Sequence, residues 1–80
     1  MMQVVIVEWL DVDKELNQDS FDEKMDIDSK LVLITTLGWN FRESDMCLMI
    51  VQEFSGRIPR DYIVIPKSLI KKITVVANVE

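Results

Sequence analysis

The sequence predicts a small, mainly β domain: five strands wound into a barrel, with a short acidic excursion, helical or irregular, after the first strand. Three observations predict it. Apolar residues recur with a period of two, or in short unbroken runs of valine and isoleucine, and not with the 3.6 period of a helix. Clusters of turn-forming residues separate those runs. With 80 residues there is room for one domain and no second core, so the barrel is expected to occupy residues 1–80 as a single unit.

The first strand is expected from Gln3 to Leu10, a valine- and isoleucine-rich run with Trp9 near its end that reads as buried on both faces or nearly so. From residue 11 to 28 the period is lost and apolar residues thin out. Ser20 followed by Glu23 fits a capping box, so a short helical turn docked by Phe21 and Met25 is expected there. From Leu31 the alternation becomes clean, with Leu37, Trp39 and Phe41 predicted on one face and Gly38, Asn40 and Arg42 on the other. A glycine inside a strand weakens it and marks a bend, a bulge or a close backbone approach, and Gly38 is such a residue.

Glu43-Ser44-Asp45 turns the chain into a third strand, Met46 to Phe54, making a hairpin. Ser55-Gly56-Arg57-Ile58-Pro59-Arg60 reads as a loop from its glycine and proline, and Asp61 to Ile65 as a fourth strand. Pro66 cannot donate to a ladder and ends that strand. Lys67-Ser68-Leu69 makes one tight turn before the fifth strand, Ile70 to Val76. Five strands with a single tight turn before the last is the plan of an SH3-like barrel. On alternation alone Val5, Ile6, Leu37, Phe41, Leu48, Ile50, Ile63, Ile65 and Ile73 form its core.

A chain this short buries only about 60–65% of the surface its unfolded form exposes, and such domains commonly rely on a disulfide, a metal or a partner subunit. The lone cysteine, Cys47, lies in the apolar run Met46 to Val51 and reads as a buried free thiol. With no histidine and one thiol, zinc is not expected, and only carboxylates remain, which suit calcium or magnesium. Asp11-Val12-Asp13-Lys14-Glu15 begins like a calcium loop, but Leu16 stands where the sharp turn demands glycine. A homo-oligomer is the remaining source of stability. The run Val4 to Val7 ends at Glu8 and Met1-Met2-Gln3 lacks a basic start, so neither a secretory leader nor a membrane span is expected, and the cytoplasm is the predicted compartment.

The formal charge of −5 conceals an asymmetry: residues 8–28 hold nine acids against Lys14 and Lys24, while Arg57, Arg60, Lys67, Lys71 and Lys72 fall in a stretch whose one acid is Asp61. An acidic chain is a poor general binder of nucleic acid, whose affinity comes largely from phosphate neutralisation, whereas a local basic patch can hold a small anion.

Tyr62-Ile63-Val64-Ile65-Pro66-Lys67-Ser68-Leu69-Ile70-Lys71-Lys72-Ile73 resembles the second motif of Sm-like proteins, notably their bacterial RNA-chaperone branch, through Lys67, Ile70 and Ile73. The hairpin from Leu37-Gly38-Trp39 to Asp45 resembles the first Sm motif more loosely, and together the two cover about half the chain. The branch that binds RNA carries an aromatic and a histidine beside its lysine, where this chain has Pro66 and Ser68. The resemblance therefore implies the fold and not the RNA site. Val7-Glu8-Trp9-Leu10-Asp11, Thr35-Thr36-Leu37-Gly38-Trp39 and Ile65-Pro66-Lys67 are also similar to short proteins encoded by bacteriophages. That likeness implies a host cytoplasm and a role in disabling host enzymes or sequestering host signals.

Catalysis fails on inventory: the common general base is missing, and neither Cys47 nor any serine has a base placed by a motif. No phosphate-cradling glycine motif and no cofactor fingerprint is present. A binding role remains, with Arg57, Arg60 and Lys67 as phosphate ligands and Tyr62 and Trp39 as aromatic partners. Guanidinium forks match phosphate geometry, and an exposed tryptophan offers a stacking surface. Three functions stay open: sequestration of a nucleotide-like signal by a phage-type anti-defence protein, RNA binding by an Sm-like ring, and inhibition of a host protein partner. Charge favours the first over RNA.

Overall fold

The structure, a computed structural model, describes residues 2–12 and 31–79. The acidic excursion predicted after the first strand, with its capped turn at Ser20 and its docking residues Phe21 and Met25, lies outside the described residues beyond Asp11 and Val12, which continue the first strand.

Five strands form the described fold: β1 (Met2–Val12), β2 (Leu31–Glu43), β3 (Cys47–Ser55), β4 (Ile58–Pro66) and β5 (Ile70–Val79), with a 3-10 turn at Lys67–Leu69. All pair antiparallel in one sheet ordered β4-β3-β2-β1-β5. The mainly β, five-stranded class is as expected, but the barrel does not close: β4 and β5 lie at opposite ends of the strand order and share no ladder. Only the short link Pro66 to Ile70 joins them, and at most roughly 3.6 Å per residue this spans no more than about 14 Å. The sheet must therefore curl until its two edges meet at that corner, and it stays unzipped along the rest of the seam.

The predicted loop 55–60 shrinks to a two-residue turn at Gly56 and Arg57. Gly56 takes φ 63°, the left-handed region that favours glycine, and β4 starts at once with Ile58. Pro59 is tolerated there because β4 is an edge strand, so a missing N–H need not break a ladder. The β2–β3 turn is held by Ser44, whose Oγ accepts hydrogen bonds from the backbone N–H of Cys47 at 3.0 Å and of Met46 at 3.3 Å.

β1 alternates as a half-buried strand does. Val5, Val7 and Trp9 are buried and join Leu48, Ile50 and Ile65, with Ile34, Ile63 and Ile70 packed against them. The Trp9 indole N–H donates to the Thr36 hydroxyl at 3.0 Å, so both buried polar groups are satisfied.

The expected faces of β2 are inverted. Register sets Gly38 opposite buried Val5 and Thr36 opposite buried Val7, so that face points inward, while Leu37 is 54% exposed. The cause lies at Gly38, where an added Cβ would sit 2.6 Å from the Val51 carbonyl oxygen and 2.7 Å from Ile50 Cγ2. β3 thus fills the place a side chain would take. Of the predicted core, Val5, Leu48, Ile50 and Ile65 are buried and Ile6, Phe41 and Ile63 are half-buried. Ile73 lies opposite Val7 yet is 48% exposed, because among the described strands β5 has no neighbour on its far side.

Candidate functional site

Three register shifts shape the end of the sheet opposite the Trp9 core. Between β2 and β3 the register skips Phe41, and between β3 and β4 it skips Gln52 and then Arg60. An extra residue bends its strand and re-aims the side chains around it. The ring of Phe54, near the end of β3, then meets Trp39 edge-on at 5.4 Å and 72° and Phe41 at 5.7 Å and 65°. Such geometry places the positive edge of one ring against the negative face of the next.

These three rings, with Met2, Gly56 and Arg57, line an open hollow of about 570 Å³. A second hollow of about 440 Å³ shares Phe41 and Arg57 with the first and adds Arg42, Met49 and Tyr62. The Arg42 guanidinium lies 5.7 Å from the Phe41 ring centroid, a cation–π distance. Among the described residues no aspartate or glutamate lines either hollow.

The structure gathers three of the five predicted site residues. Trp39 and Arg57 line the first hollow, and Arg57 and Tyr62 line the second. Arg60 and Lys67 lie outside both. Arg60 is on β4 and not in a loop, its Nε 3.9 Å from Glu53. Lys67 Nζ donates to Glu43 Oε2 at 2.7 Å, and that hydrogen bond, helped by the ammonium charge, holds the Glu43 carboxyl below its ordinary value. Phe54 and Arg42 are members that sequence reasoning missed, and Phe41 was expected in the core. Arg42 directly follows an aromatic, but that signal acquires meaning only through the bulge. Trp9 lies in the core, whereas Trp39 is half-buried at the hollow.

Among the described residues no group of three His, Cys, Asp or Glu side chains could hold a metal ion, and no helix is long and apolar enough to cross a membrane. Comparison with protein-family models, with curated proteins and with solved structures finds no match. What the arrangement can do follows from its parts: it offers flat apolar faces for stacking and guanidinium groups for an anion.

Proposed function

We propose that this chain is a non-catalytic, homo-oligomeric binding protein that sequesters a nucleotide-derived small molecule, as a phage-type anti-defence protein would sequester a host signal. The convergence of Trp39, Phe41 and Phe54 with Arg57 in one hollow carries the reading. Stacking of a base on an aromatic ring is worth about 1–3 kcal/mol and does not depend on base identity, and a guanidinium adjacent to it supplies the charge a phosphate needs. The curled five-stranded sheet is the scaffold, in keeping with the SH3-like and Sm-like resemblance. The absence of histidine from the chain supports binding without turnover.

The oligomer is supported by β5. Nine of its ten residues are exposed, among them Ile73, Val75, Val76 and Val79, and no described strand pairs with its outer edge. Light scattering at micromolar concentration is expected to give a particle heavier than the 9.3 kDa chain. Val76→Lys, at an exposed position that pairs with no β1 residue, is expected to disperse it.

Calorimetry against nucleosides, nucleotides and short RNA tests the binding reading, with Trp39→Ala as the variant expected to weaken binding. Binding of RNA alone would transfer the function to an Sm-like RNA binder. Binding of neither class would leave a host protein as the partner.

A further inference from the structure

We infer that the site is bipartite: the first hollow takes the base, and Arg42 and Arg57 in the second hollow together form a phosphate subsite. This rests on the nucleotide-binding reading and goes beyond it by assigning the second hollow, a second guanidinium and the class of ligand.

The two hollows adjoin: Phe41 and Arg57 line both, so a ligand stacked against Phe41 in the first has the second beside it. Their volumes, about 570 and 440 Å³, exceed what a lone base needs and suit a base joined to a sugar and a phosphoryl group.

Charge separates the basic groups on this face. Arg60 and Lys67 are committed to Glu53 and Glu43, whereas Arg42 and Arg57 have no ion pair among the described residues. Among the described residues no carboxylate lines the two adjoining hollows while two arginines stand in their walls, so these residues present a local field opposite to the net charge of −5. The Arg42 guanidinium also lies over the Phe41 ring, a cation–π contact that favours its presence beside the hollow. Two arginine forks match the oxygens of a phosphate in a way that a lysine ammonium does not. Tyr62, on the same wall, adds a hydroxyl donor. The ligand class is therefore a nucleoside bearing a phosphoryl group next to its sugar, including cyclic dinucleotides.

Calorimetry with adenosine, guanosine, their 5′-monophosphates and cyclic diguanylate, on wild type, Arg42→Gln and Trp39→Ala, tests this. At least one phosphorylated probe is expected to bind wild type tenfold or more tightly than the matching nucleoside. Arg42→Gln is expected to weaken that probe by about tenfold or more, to flatten its salt dependence, and to leave nucleoside affinity and the melting temperature unchanged. Trp39→Ala is expected to weaken nucleoside and nucleotide together. If nucleotides bind but Arg42→Gln leaves them unaffected, or if nucleosides bind as tightly as nucleotides, the phosphate subsite falls and the stacking site survives. If no probe binds, both fall.

Discussion

The two tryptophans occupy contrasting environments on neighbouring strands. Trp9 is 7% exposed, packed among valines and isoleucines, with its N–H on Thr36. Trp39 lies on the opposite face of the sheet, half-buried, with one edge-to-face partner and open space beside it. Burial with a satisfied polar handle marks a side chain that stabilises the fold. An aromatic left accessible beside a guanidinium, with no hydrogen bond among the described residues, marks one kept for a ligand.

Truncation is the sharpest way to break this contrast. Trp9→Ala should cost about 3–5 kcal/mol, the usual range for a buried large-to-small change, and chemical denaturation would read it as a lower midpoint. Trp39→Ala should cost far less while weakening ligand binding, and equal losses of stability would erase the distinction. Gly38→Ala probes the inward face of β2 beside Trp39. Its methyl would collide with the Val51 carbonyl, so a loss of about 1–3 kcal/mol is expected in the same assay. Thr36→Val removes the acceptor under Trp9 and leaves a buried N–H unpaired, at about 1–2 kcal/mol.

The smallest expected effect concerns Glu43. Its carboxyl titrates below the unfolded value because Lys67 holds the charged form. The stability it contributes is therefore present above the unfolded pKa and is lost as pH falls through the folded one. Lys67→Met should move the Glu43 titration, followed by carbon-detected NMR, upward toward an ordinary glutamate with little change in global stability.

Strand identity was legible because alternation and turn chemistry both register in a linear pattern: the Glu43-Ser44-Asp45 turn and the stop at Pro66 were readable from residue types alone. The β2 face was not, because a glycine lacks the side chain that periodicity counts, and Gly38 is the residue β3 packs against. By residue type Pro59 reads as a loop residue, since its tolerance on an edge strand depends on strand order, which is a tertiary fact. The same limit governs the site. Trp39, Arg57 and Tyr62 were visible as residue types in a basic, aromatic neighbourhood. Glu43 and Glu53, brought by register and curl, neutralise Lys67 and Arg60, and the bulge at Phe41 brings in Arg42.

The seam between β4 and β5 bears on how the chain assembles. Met2 pairs with Val79 and Val4 with Ala77, so β1 gains its second neighbour only when nearly the whole described chain has been brought back to it. Loop closure of that length is entropically costly, and folds dominated by such distant pairings reach the native state in milliseconds to seconds. Among the described strands β5 pairs with β1 alone, so its ladder is held from one side only. Its backbone amides should therefore exchange with solvent at a lower opening energy than those of β1 and β2, which are each flanked on both sides.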